Sequence, residues 1–158
     1  MGEIKLNQKD IDTQKMVDNI KESIEEREIL LKELKEKYPI EDFVTYNEFN
    51  VSDRLKLLPM KIYDFQFLLN KEKARLEDLT DAADKINAEL YDYYRFNYEK
   101  NLSPVEIKDY YLKNDSRMIT INKYINKQKY TVAYFEGCLK ALEKMSWTIK
   151  DFIKAMNS

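Results

Sequence analysis

Apolar residues along this chain recur at the three- and four-residue steps of helical faces. Met16, Ile20, Ile24, Leu31 and Leu34 make one such face with one step missed, which predicts a first helix from about Asp10 to Lys37. Pro39 stops it, because a helix cannot continue through the residue before a proline without strain. The segment PIEDFVTYNEFNVSD that follows reads as an irregular connector, with room for one short helical turn, ending near Asp53. The second helix is expected from about Pro59 to Tyr98. Ile62, Leu69, Leu76, Ala83 and Leu90 fall on one seven-residue register, and Phe65, Leu79, Ile86 and Tyr93 on its paired position, with Glu72 breaking the paired series. Four heptads with charged flanks are the pattern of a coiled-coil seam, since a sustained 3.5-residue period supercoils a helix around a partner.

Ser103, Pro104 and Glu106 are a start signal for a short third helix reaching about Lys113: a serine cap, proline at the first helical position, and glutamate placed to close a capping box. In the last segment Met118, Ile121, Ile125, Val132, Phe135, Leu139, Leu142, Ile149 and Ile153 again step by three and four, interrupted at Gln128 and Ser146. A helix over residues 118 to 153 spans about 54 Å at 1.5 Å per residue, a match for the second helix. The fold class is therefore all-α: a long antiparallel helical hairpin, coiled-coil-like, preceded by an N-terminal amphipathic arm. The division falls between an acidic arm and connector, 1–53, and a hairpin domain, 54–158. Two helices bury one stripe each, which leaves Phe67, Tyr124, Tyr134, Trp147 and Phe152 uncovered unless other chains cover them, so a homo-oligomer is expected. The alternative is that the arm folds back to complete a three-helix bundle.

Composition narrows the chemistry. The 158 residues hold no histidine, one cysteine, two glycines and three prolines. Without histidine there is no Ser-His or Cys-His nucleophile pair and no side chain that titrates near neutrality when unperturbed. Gly-rich phosphate loops are excluded, and Cys138, in the apolar helical setting FEGCLKAL, reads as a buried structural thiol. Carboxylate pairs such as Glu25 and Glu26 or Asp81 and Asp84 sit on charged faces with no sign of a pocket. No enzyme activity, metal or cofactor is expected. The N-terminus lacks an apolar signal core and no run approaches the roughly 20 apolar residues of a membrane span, so a soluble, cytosolic protein is expected.

The formal net charge of −2 conceals an asymmetry. Residues 1–50 hold 8 Lys+Arg against 13 Asp+Glu, a balance of −5, and the remainder balances at +3. Between 116 and 130 the chain carries Arg117, Lys123, Lys127 and Lys129 with no acidic residue. Near the end of the second helix Tyr91, Tyr93, Tyr94 and Tyr98 crowd together with Arg95, Phe96 and Lys100. Rings interleaved with cations suit single-stranded nucleic acid, because bases stack on rings while phosphates meet the charges. Tyrosines at helix ends also pack against a neighbouring helix with the hydroxyl in water, and that is the commoner arrangement. An antiparallel hairpin would bring Arg95 and Lys100 toward Arg117 and Lys123.

From Leu57 to Ile153 the order of features resembles the UvsY-like recombination mediators of tailed phages. The resemblance rests on LLPMKIYDFQFLLNKEKARLEDL, on the paired Tyr93 and Tyr94 at the helix end, and on DSRMITINKYINKQKYTVAYFEGCLKALEKMSWTIKDFI with its Met-Ile pair, Tyr-Phe-Glu and closing aromatic-x-Ile-Lys. It implies a helical protein that assembles into a homo-oligomeric ring in the host-cell cytoplasm, binds single-stranded DNA, and helps a RecA-like recombinase replace the single-strand-binding protein. Where family members carry basic turns before the paired tyrosines, this chain has Lys85 alone, and Arg95 and Phe96 follow where the family has glycine. Lys85, Arg95 and Lys100 are then the candidates for the family's basic motif, and with the tyrosine cluster and the basic stretch read above the nucleic-acid-binding set is Lys85, Tyr91, Tyr93, Tyr94, Arg95, Tyr98, Lys100, Arg117 and Lys123. A non-enzymatic coiled-coil adaptor that binds only protein is the competing function.

Overall fold

The structure is a computed structural model that describes residues 8–37 and 39–158. Residues 1–7, where a signal core would begin, lie outside that range. Every regular element among the described residues is helical: α1 (Gln8–Lys37), α2 (Ile40–Val44), α3 (Val51–Asp92), α4 (Pro104–Glu106), α5 (Leu112–Asn114) and α6 (Ser116–Met156). A π-helical turn, Tyr93–Asn97, extends α3, and a second, Ile107–Tyr111, joins α4 to α5. Among the described residues no helix is long and apolar enough to cross a membrane.

The chain forms two compact units, and each of the three long helices contributes to both. The first unit comprises Arg75–Gln128 with the chain up to Arg27. Its core joins Val17 of α1, Ile86 and Leu90 of α3, Ile107 of the second π turn, and Met118 and Ile121 of α6. Ile86, Ile107 and Ile121 are fully buried, each stabilising the fold by about 1.5–3 kcal/mol through removal of apolar surface from water. A smaller cluster packs Ile24 of α1 with Leu79 and Tyr124. The Tyr124 hydroxyl donates to Glu25 Oε1 at 3.3 Å, and Thr13 Oγ1 donates to Glu89 Oε2 at 2.8 Å. The acidic face of α1 therefore stays hydrated while its apolar stripe, with Thr13 and Val17 on it, is built into the core.

The second unit comprises Glu28–Ala74 and Lys129–Ser158. Val51, Leu58, Phe65 and Leu69 of α3 are buried in it, as are Val132, Phe135, Leu139, Leu142 and Ile149 of α6. Phe65 and Phe135 meet with ring centroids 6.1 Å apart. The connector supplies α2, whose Ile40 and Phe43 are buried, and Arg54 lies over the Phe43 ring at 5.2 Å.

Three expectations are corrected. Pro59 does not open α3 but lies inside it, eight residues past its first residue. Asn47 and Asn50 prepare the earlier start: Asn47 Oδ1 accepts from the Phe49 and Asn50 amides, and Asn50 Oδ1 from the Asn47 amide. Burial of Val51 and Leu58 then offsets the roughly 3 kcal/mol that an interior proline costs. Glu72 and Gln128, which break the apolar stripes, are not at gaps in the buried surface, for both are about 1% exposed. Of the five aromatic residues expected to lie open, only Phe67 and Trp147 are exposed. Tyr124 is buried by α1, Tyr134 is half-buried under Lys35 at 4.2 Å, and Phe152 is half-buried against Tyr46 at 5.3 Å.

Ile86→Ala is expected to destabilise the protein by about 2–5 kcal/mol, the loss of transfer energy plus a cavity, whereas Ile119→Ala on the exposed side of α6 should change stability by less than about 0.5 kcal/mol. Urea unfolding followed by circular dichroism measures both.

Candidate nucleic-acid interface

The tyrosine-rich end belongs to the first unit, and its geometry begins at Asp115. This residue sits in extended backbone immediately before α6 and caps it, its Oδ1 accepting from the Arg117 amide at 2.9 Å. Arg117 returns to the same carboxylate through Nε at 3.1 Å and Nη2 at 3.0 Å. The Tyr94 hydroxyl donates to Oδ2 at 2.6 Å. Burial would raise the Asp115 carboxyl, but the bonds from Arg117 and Tyr94 outweigh it and hold it below the usual carboxylate range. Burial, together with donation to that carboxylate, pushes the Tyr94 hydroxyl well above the usual tyrosine range, so it stays protonated.

Around this node the rings pack on one another. Tyr94 lies 5.2 Å from Tyr93, 5.3 Å from Tyr98 and 5.4 Å from Tyr111, and Tyr98 and Tyr111 are also 5.4 Å apart. Tyr91, Tyr94, Tyr98 and Tyr111 all press against the hydrophobic core. Tyr93 and Tyr94 open the π turn and Tyr98 stands in the extended residue that ends it, and such turns often occur at functional sites. The loop after it is fixed at both ends. Arg95 Nη1 donates to the Leu102 carbonyl at 2.8 Å. Ser103 and Glu106 form the expected capping box, with Glu106 N to Ser103 Oγ at 3.2 Å and Ser103 N to Glu106 Oε2 at 3.0 Å.

The structure divides the sequence-derived residues by availability. Tyr91, Tyr93, Tyr94 and Tyr98 are half-buried, with ring faces largely occupied by other rings or by the core. Arg117 is half-buried and paired with Asp115, and it lies 6.0 Å from the Tyr93 ring centroid. Arg95 is exposed but holds the loop. Lys85, Lys100 and Lys123 are exposed. Two aromatic rings do face outward here, Phe96 at 74% and Tyr110 at 63% exposure; the sequence reading placed Phe96 in the aromatic cluster but not in the binding set, and it did not single out Tyr110. Lys108 and Lys113 accompany them on the surface. Phe96 could have been found by phase, because it falls between the inward Tyr94 and Tyr98. Tyr110 had a weaker signal, being one of two consecutive tyrosines of which one had to face out.

Other chemistry is sparse. Cys138 is buried, and burial pushes its thiol up, which disfavours the reactive thiolate. Among the described residues no cluster of cysteine and carboxylate side chains is arranged to hold a metal ion. Compared with known proteins, the chain matches no family model, no curated protein and no solved structure.

Asp115→Asn is expected to cost on the order of 1–3 kcal/mol at neutral pH, because it removes a charged acceptor and leaves the Arg117 guanidinium underpaired. A carboxyl held low in the folded state adds stability that is fully present above about pH 4 and is lost as pH falls through its own lower value. Wild type should therefore lose stability on acidification below pH 4, and the variant should show a shallower decline, as read by urea midpoints across that range.

Proposed function

We propose that this protein is a recombination mediator: a homo-oligomeric, ring-forming helical hairpin in the host-cell cytoplasm that binds single-stranded DNA. In that role it helps a RecA-like recombinase replace the single-strand-binding protein. The observation that carries the reading is the aromatic end of the first unit, where Phe96 and Tyr110 face outward from a braced tyrosine cluster with Lys100, Lys108 and Lys113 on the same short stretch of chain. Outward rings stack bases without regard to sequence, and lysines meet the phosphates. Bracing matters, because rings already fixed lose less freedom when a strand is bound. The order of motifs from Leu57 to Ile153 supports the same conclusion by resemblance. A mediator of this kind makes and breaks no covalent bond; it shifts a competition between two partners by its differential affinity for the strand each of them holds.

One observation favours a second reading, that of a protein-binding adaptor. Across the aromatic end Arg95, Lys100, Lys108, Lys113 and Arg117 are matched by Asp92, Glu99, Glu106, Asp109 and Asp115, so the end carries no net charge. Fluorescence anisotropy with a labelled oligonucleotide separates the two. A mediator binds, and its affinity falls with salt, each phosphate contact contributing about 0.7 to the logarithmic slope for a single strand. Phe96→Ala and Tyr110→Ala should each weaken binding by about 1–3 kcal/mol per lost stack, and Lys100→Ala with Lys108→Ala should flatten the salt slope. No binding at low salt assigns the adaptor role instead.

A further inference from the structure

The second unit has two outward helix faces that its own fold leaves uncovered, and they complement each other. On α3, Leu57, Met60, Tyr63 and Phe67 are between 49% and 68% exposed. They lie on the side away from the buried Leu58, Phe65 and Leu69. A shallow cleft lined by Tyr63, Asp64, Phe67 and Leu68 marks the middle of this face. On α6, the side away from Phe135, Leu139 and Leu142 carries Tyr130 at 77% and Trp147 at 74% exposure, with Ala133, Gly137, Lys140 and Lys144 exposed between them. Gly137 stands in the interior of a 41-residue helix, where glycine is the least favourable residue after proline. A side chain built at Gly137 would meet nothing within 4 Å, so the chain's own packing does not require it.

We infer that the outward face of α3 seats antiparallel on the outward face of α6 of a second copy of this chain, with Phe67 entering the notch at the partner's Gly137. The registers match step for step. Along α3 the positions 57, 60, 64, 67 and 71 advance by three, four, three and four; along α6 the positions 147, 144, 140, 137 and 133 retreat by the same steps. Placing Phe67 on the partner's Gly137 puts Leu57 on the partner's Trp147, Asp64 beside the partner's Lys140, and Met60 along the stem of the partner's Lys144. Bulk meets space, apolar meets apolar, and the acid meets a base. A shared 3.5-residue step keeps the two helices in contact over the length of such a seam. Because the two faces belong to different helices, the contact is head to tail. A pair keeps one α3 face and one α6 face free, on different copies, and the assembly grows until it closes or continues as a filament. This contact rests on the oligomeric part of the mediator reading and names the surfaces it would use.

Sedimentation velocity of the full chain over a micromolar concentration series, without DNA, tests it. Wild type should associate, and Phe67→Asp or Gly137→Leu should each raise the concentration needed by roughly tenfold or more, with unchanged helical circular dichroism because both positions are exposed. Mixing these two variants should give one-to-one pairs that grow no further, since the first retains only the α6 face and the second only the α3 face. Asp64→Lys should weaken association, and adding Lys140→Asp should restore it. A monomeric wild type, a Gly137→Leu chain that associates as wild type does, or a mixture that fails to pair overturns the contact. Strand binding is scored separately by anisotropy, so a chain that binds DNA without associating, or the reverse, shows which part fails.

Discussion

One buried carboxylate fixes the end of the first unit. Asp115 caps α6, accepts from Nε and Nη2 of the Arg117 guanidinium, and accepts from the Tyr94 hydroxyl at the far end of α3. A carboxylate so deeply placed is costly unless its lone pairs are filled, and here three groups from two elements fill them. In doing so they bring the end of α3 to the start of α6, and the tyrosine rings close around the junction. The Ser103–Glu106 capping box and the Arg95 bond to the Leu102 carbonyl then leave the intervening loop few ways to move. The aromatic end is thus held by polar contacts at its centre and ring packing around it.

That arrangement explains why the site was only partly legible in the sequence. Aromatic and basic residues at the end of a long helix were visible as a composition, but composition does not say which ring faces out. Tyr94 reads like a stacking residue until its hydroxyl is found on Asp115, and Arg117 reads like a phosphate contact until the same carboxylate is found to hold it. The first assignment depends on a contact between residues 21 positions apart, which no local pattern encodes; the second turns on a carboxylate only two residues away, whose burial the sequence does not show. The capping box, by contrast, was legible because every atom of it lies within four residues, and the structure has it where the sequence put it.

The same distinction runs through the fold. Long helices were legible from periodicity, and all-α architecture followed from it. The start of α3 was not, because proline's local cost was weighed without the distant burial of Val51 and Leu58 that offsets it. Val17 and Thr13 were missed on α1, since a stripe drawn through Met16, Ile20 and Ile24 ignores the neighbouring positions that a 3.6-residue period also turns inward. Glu72 and Gln128 mark the opposite error. An interruption in an apolar stripe looks like a gap in the core, yet a polar side chain can occupy a core position when it finds partners there, and substituting an apolar residue at such a place removes specificity as well as a desolvation cost.

The two units differ in what their surfaces leave over. The first fills its polar centre and covers its tyrosines, so that Phe96 and Tyr110 stand out as rings the packing did not use. The second exposes far more apolar surface, on α3 at Leu57, Met60, Tyr63 and Phe67 and on α6 at Tyr130 and Trp147. Single exposed apolar residues require no explanation, but several on one helical face, opposite the buried stripe of the same helix, amount to a second seam. A helix with two seams is stable in water only at the cost of an exposed one, and the cost is removed when another helix lies on it. The strand binding proposed above would fall to the unit whose polar and aromatic groups are braced. Association suits the unit whose helices carry an apolar face that the single chain leaves open to water.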